Sequence, residues 1–266
     1  MKRCVPITIL LFPLLMAAFY PIASHAGSRP VVIHAMSHNP WVPYYSYEED
    51  KPDTPKGLFI DLIETLMSQE LGLQIKQHIV PWKRAQEAVK TGAADFMITI
   101  PTRDRALYSV ASEVPIHKMN LHLFTYAHHP KALEISKIQT ADDIKNLNLT
   151  LVAHRGDGWH RANIASKGVT VHYVNNDEQL PLFVAAKRAD GMIDAALPMA
   201  DYIHKHTLQD EVTRTKVRFG PLPFHILISR KSLLLNRIDE INAAIKRLEA
   251  NGTLEKLAAK YDKQPH

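Results

Sequence analysis

GAADFMITIPTRDRALYSVASEVP, residues 92–115, sets a short strand directly against a charged turn. Asp95-Phe96-Met97-Ile98-Thr99-Ile100 is an apolar run of β-favouring residues bounded by Gly92 and Pro101, which predicts a buried strand. Thr102-Arg103-Asp104-Arg105 follows at once and places two guanidinium groups just beyond the carboxyl end of that strand. Open α/β sheets hold small ligands at such ends. The rigid fork of an Arg side chain pairs a carboxylate or phosphate through two parallel hydrogen bonds.

The flanking sequence alternates strands and helices. Upstream, Val31–Ala35 reads as a strand, and a loop from Met36 to Pro55 gathers Trp41, Tyr44, Tyr45 and Tyr47. Four rings are more than one turn normally contributes to a core face. Gly57 opens a helix with an apolar stripe through Phe59, Leu62, Ile63, Leu66, Met67 and Leu71, with Asp61 stabilising its amino end. A strand over Gln74–Val80 leads to a helix from Pro81 that turns Ala85, Ala88 and Val89 inward and ends at Gly92. Trp82 belongs either to the core at this junction or to the border of a cleft.

Downstream, strands are predicted at Asn120–Tyr126, Leu149–Ala153, Val169–Val174, Ala189–Ala195 and His225–Ile228. Helices are predicted from Ala141, over Asp177–Lys187, and in two stripes from Leu234 to Tyr261 separated by Asn251-Gly252. His154-Arg155-Gly156-Asp157-Gly158-Trp159 is a Gly-containing turn into a helix. Its open backbone N–H groups favour anions.

Composition narrows the function classes. With 266 residues, 46% of them apolar, the chain can bury a substantial core. Lys2 and Arg3, an apolar stretch from about Val5 to Ala23, and Ser24-His25-Ala26 read as a secretory signal over residues 1–26, with an uncleaved membrane anchor as the competing reading. The single cysteine, Cys4, lies inside that segment, so the mature chain has no disulfide and no thiolate ligand. The formal charge of +5 falls to +3 without Lys2 and Arg3. Charges are interspersed, which argues against nucleic acid as a partner. Fifteen histidines show no metal-ligand spacing, and no phosphate-binding loop, dinucleotide fingerprint or nucleophile elbow occurs. No metal and no cofactor are expected.

Gly92, Asp95, the β run, Thr102 and Arg105, then Tyr108-Ser109 and Ser112-Glu113-Val114-Pro115, resemble the signature of family 3 periplasmic solute-binding proteins, the polar amino-acid receptors of ABC importers. Gly57-Leu58-Phe59-Ile60-Asp61-Leu62 and the Asn251-Gly252-Thr253-Leu254 ending are further matches, and the resemblance spans roughly Val31 to Tyr261. It implies an α/β periplasmic-binding-protein fold of type II. Two lobes, each a mixed sheet flanked by helices, would enclose a cleft, with residues 27–121 and 225–266 in one lobe and 122–224 in the other. It also implies a monomeric periplasmic receptor working with ABC transporter membrane subunits. The same resemblance admits a sensory binding protein, or a dehydratase of the cyclohexadienyl dehydratase type with Glu113, Asp157, Glu178 or Asp194 as its acid.

By motif position, the resemblance assigns the ligand's carboxylate to Arg105. Trp41 and Tyr44 become the stacking surface, and His38, Thr99, Thr102, Arg155, Gly156 and Asp157 its polar neighbours. Asp157 replaces the family's hydroxyl residue. The family's ammonium-pairing acid falls at Ala195, with Asp194 one residue early, so strand alternation is expected to turn the Asp194 carboxylate away unless a bulge intervenes. Ile98 and Ile100 stand where such receptors often carry serines. These departures together predict an organic acid or aromatic carboxylate in preference to an ordinary α-amino acid.

Overall fold

Residues 29–261 apart from Glu49, together with Met1, are described by a computed structural model. The expected signal segment and Cys4 lie outside the described residues, save for Met1. The chain order is β1 (Val31–Ser37), the hairpin β2 (Ser46–Glu48) and β3 (Lys51–Lys56), α1 (Leu58–Ile63), β4 (Gln74–Val80), α2 (Trp82–Thr91), β5 (Phe96–Thr99), α3 (Arg103–Ala106), β6 (Ser109–Ala111) and β7 (His117–Tyr126). Then come α4 (Ala132–Ile135), α5 (Ala141–Asn146), β8 (Thr150–His154), α6 (Gly158–Asn163), β9 (Thr170–Val174), α7 (Gln179–Ala185), β10 (Gly191–Ala195), α8 (Ala196–Lys205), β11 (Val212–Ser229), α9 (Ile238–Ala250) and α10 (Thr253–Tyr261).

The strands join in the order β4-β1-β5-β11-β7-β10-β8-β9, with β6 also paired to β11. β1 runs parallel to β4 and β5, and β8 runs parallel to β9 and β10, so each half of the sheet is a parallel unit closed by one antiparallel strand. β7 and β11 pair antiparallel from Val212↔Tyr126 to Phe224↔His117 and carry the chain from one half to the other. Parallel strands covered by helices on both faces are apolar along their length. β5 is buried at every position, and its neighbour Ile226 on β11 is fully buried.

The stripe predicted on α1 is buried at Phe59, Leu62, Ile63, Leu66 and Met67. Beyond Ile63 the helix widens into π-type turns over Glu64–Glu70, so its carboxyl half departs from a regular α-helix. Asp61 sits in the first turn and also accepts a hydrogen bond from Tyr261 Oη at 2.8 Å, tying α1 to the end of α10.

Two aspartates serve equivalent structural ends in the two halves. Asp95 accepts from Ile33 N at 2.6 Å and from the Ser232 hydroxyl, while Asp190 accepts from Thr150 N at 2.6 Å and Thr150 Oγ1 at 2.8 Å. Each locks the start of its final strand to a neighbour and leaves the carboxyl ends of the strands free to form a site. Among the described residues, no helix is long and apolar enough to cross a membrane, and no cluster of three or more His, Cys, Asp or Glu could hold a metal ion.

Candidate functional site

A cavity of about 120 Å³ lies between the two halves, at the carboxyl ends of β1, β5, β8 and β10. Trp41, Tyr45, Phe59, Trp82, Trp159 and Phe224 give it an aromatic wall. Its polar lining is Arg105, Thr99, Ser37, His34 and His154 with Asp157, Asp177 and Asp194.

Arg105 is set by the turn after β5. Thr102 has extended backbone and its hydroxyl accepts from Arg105 N at 3.3 Å, so Thr102 caps α3 and does not line the cavity. Arg105 is 4% exposed. Its Nε and Nη2 donate to Gln86 Oε1, both at 3.2 Å, and its Nη1 donates to the Ile100 carbonyl at 2.7 Å. Trp82 lies 5.6 Å away by its ring centre. Burial depresses the Arg105 pKa while the Asp157 charge opposes that fall.

Across the cavity, His154 Nε2 lies 3.1 Å from the Asn175 carbonyl and Nδ1 lies 3.2 Å from Asp177 Oδ1. A carbonyl only accepts, so Nε2 carries hydrogen, and one further proton must sit between Nδ1 and Asp177. Burial lowers the His154 pKa, whereas burial and then the Asp157 charge raise that of Asp177 to about 7. The shared proton therefore resides on Asp177, and the pair is neutral near pH 6. Asp194 is pushed well above the usual carboxylate range by burial and by Asp177, although its Oδ1 accepts from Ala195 N at 2.7 Å and the Trp41 indole also donates to it. His34, also on the wall, donates from Nδ1 to Gln77 Oε1 at 2.7 Å, and burial lowers its pKa to about 4.

Several expected positions are redistributed. Arg105, Trp41, Thr99, Asp157 and Asp194 border the cavity. Tyr44 does not: it is buried against Phe59 (5.1 Å between ring centres) and Trp41 (4.4 Å), a core ring, while its neighbour Tyr45 takes the cavity face. His38 is exposed and does not line the cavity. Arg155 and Gly156 sit outside the cavity in a neighbouring open groove, where Arg155 Nε donates to Asn175 Oδ1 at 2.9 Å. Asp157 caps α6 through His160 N at 2.9 Å and borders both spaces.

Asp194 corrects the alternation argument. It lies at the end of β10, where the chain passes into α8, and both Ile193 and Asp194 reach the cavity because the lining wraps round the strand end. Asp177, His154, Gln86 and Trp159 were not anticipated as site residues. Asp177 reads in sequence as an ordinary helix-start acid, and only the β8–β9 pairing brings it beside His154.

The halves meet around this cavity. Gln86 Nε2 donates to the Gly156 carbonyl at 3.1 Å, Arg161 pairs with Asp104, and the Tyr202 hydroxyl donates to the Pro40 carbonyl. A Cβ on Gly158 would stand 3.1 Å from both Cζ and Nη2 of Arg105, so the guanidinium lies flat against the start of α6.

The model of the bacterial extracellular solute-binding proteins of family 3 matches residues 33–264. An ancestral arginine-binding protein bound to glutamine superposes with a TM-score of 0.69 at 16% identity, covering 90% of this chain and all of its own. An arginine transport-system periplasmic binding protein from Legionella pneumophila gives 0.67 at 18%, covering 88% of this chain and all of its own. An ancestral amino acid-binding protein described as a precursor of cyclohexadienyl dehydratase gives 0.65 at 18%, covering 87% of this chain and 95% of its own. At these identities the likeness is one of fold. No curated protein sequence matches.

Proposed function

Because this chain belongs to the family 3 bacterial extracellular solute-binding proteins, we propose that it is a periplasmic receptor that closes two lobes on a small solute bearing both a carboxylate and a cationic group. Among the described residues, 29–121 and 225–261 form one lobe and 122–224 the other. The closed form passes its cargo to the membrane subunits of an ABC importer, since contacts made to both lobes shift the open–closed equilibrium.

One observation carries the ligand class: a single cavity bordered by Arg105 from one half and by Asp177 and Asp194 from the other. The expectation of an organic acid or aromatic carboxylate rested on Asp194 turning away together with Ile98 and Ile100 in place of serines and Asp157 in place of a hydroxyl residue, and the first of these does not hold. Burial keeps Asp177 and Asp194 protonated in the empty cavity, and a cationic group brought beside them draws them into the ionised form, so a zwitterion or a basic amino acid matches both ends while a ligand bringing only negative charge does not. The aromatic wall favours the same cations. The arginine- and amino-acid-binding names of the structural neighbours agree with this reading.

The test is a thermal and calorimetric screen of L-arginine and L-glutamine beside their decarboxylated and deaminated counterparts. A ligand at about a hundred times its Kd stabilises by about 2.7 kcal/mol. The amino acids are expected to raise Tm and the truncated compounds to lose most of that gain. Arg105→Ala should weaken binding by about 10–100-fold, the loss of charge-assisted hydrogen bonds. Equal stabilisation by the deaminated acid would exclude the cationic half of the proposal.

The protonated Asp177 supports a second reading, acid-catalysed elimination from a dicarboxylate in the same cleft, because a general acid there holds its proton near pH 7. Turnover of prephenate or arogenate that disappears in Asp177→Asn would establish it, and no turnover would leave the receptor.

A further inference from the structure

Gln86 lies on α2 at the seam between the halves and is half-buried. Its amide is used at both ends: Oε1 accepts from Nε and Nη2 of Arg105 at 3.2 Å, and Nε2 donates to the Gly156 carbonyl at 3.1 Å. The two Arg105 donors form one edge of the guanidinium fork, so the amide oxygen fixes the plane of that group. The amide nitrogen then ties the same assembly to the turn before α6. Gly156 is part of the fit, for a Cβ there would stand 3.2 Å from Gln86 Nε2.

We propose that Gln86 is a positioning residue that couples the orientation of Arg105 to lobe closure. The Gln amide offers an acceptor to the guanidinium and, from a separate atom, a donor to the backbone carbonyl at the same time. Glu would keep the first contact and set oxygen against oxygen at the second. Met would fill the same volume and make neither. The Gly156 carbonyl is within reach only while the lobes are together, so the amide stabilises the closed form and, in that form, aims the edge of Arg105 left for a solute. This rests on the receptor reading only in the use made of closing.

The test needs no solute. Small-angle scattering of the ligand-free protein gives the open–closed distribution for wild type, Gln86→Glu and Gln86→Met, with a thermal melt of each. Loss of about one net hydrogen bond to a charged network predicts a closed-to-open ratio about tenfold lower in both variants, with a larger radius of gyration and little change in Tm. A merely structural amide would lower Tm and leave the radius alone. Scattering curves that superpose for all three proteins would overturn the proposal, whatever the solute screen returns. Glu and Met are both good helix formers on this face, so the variants should fold.

Discussion

Asp177 makes the sharpest prediction at the scale of one residue. Its folded pKa, about 7, stands above the ordinary carboxyl value of 3.8. The folded state therefore holds its proton more tightly than the unfolded state. That stability is fully present below about pH 4 and is lost as pH rises through 7, on the order of 4 kcal/mol across the window. Asp177→Asn should remove this contribution, leaving a variant more stable relative to wild type at pH 8 and similar to it near pH 4, which denaturant melts at the two pH values would show. A cationic solute should reverse the order of preference, binding wild type more tightly as pH rises and releasing a proton. Because the depressed His34 contributes a slope of the opposite sign below pH 6.5, the reading is the difference between the two proteins, and an Asp177→Asn profile parallel to wild type between pH 4 and 8 would contradict the proton placement. That Arg105 would border a cavity was legible because it follows the carboxyl end of a strand, where open α/β sheets hold ligands, while its pairing with a carboxylate came from the resemblance alone. Tyr44 and Tyr45 were not separable, since adjacent rings on an irregular loop follow no fixed period. Thr102 was read as a ligand contact because a capping hydroxyl and a binding hydroxyl look alike until the helix is seen.

Among the elements, the start of α6 is the most constrained. Gly158 has no positive φ, so alanine there carries no backbone cost and improves helix propensity. Its added carbon would meet Arg105 at 3.1 Å, and Arg105 has little room to retreat because Gln86 and Ile100 hold it. Gly158→Ala should leave the ligand-free Tm unchanged or slightly raised and weaken binding of the solute returned by the screen by about tenfold, an offset of about 1.4 kcal/mol between the closed and open forms. Undiminished affinity by calorimetry would show that the guanidinium does not need that surface. The central strands and the longer amphipathic helices were legible, because apolar runs of four to seven residues between Gly and Pro leave little choice, whereas the β2–β3 hairpin, the short β6, α3 and α4, the helix α8 and the first part of β11 were not. The π-type turns after Ile63 were not, as a widened turn keeps the same apolar stripe that a regular helix would show.

For the molecule as a whole, the two halves are joined by β7 and β11, and Gly220 sits at their crossing with φ +126. A Cβ there would lie 2.7 Å from Leu222 N and 3.1 Å from the Met119 carbonyl, both backbone atoms that can move only by distorting the crossing. Gly220→Ala should cost about 2 kcal/mol, lowering Tm by about 4–8 °C, and a melt unchanged within error would deny the crossing its rigidity. That the chain crosses twice was implied by the resemblance, through its lobe boundaries at 121–122 and 224–225. Where the halves touch was not, since Gln86 and Gly156 are 70 residues apart and neither has a pattern that points to the other. The aromatic wall has one more consequence. The chain has three tryptophans, Trp41, Trp82 and Trp159, and all three border the cavity. Indole emission from this protein comes from nowhere else, so its colour and intensity report directly on whether water, a solute or the opposite lobe occupies that space. The molecule needs no attached dye to be watched as it opens and shuts.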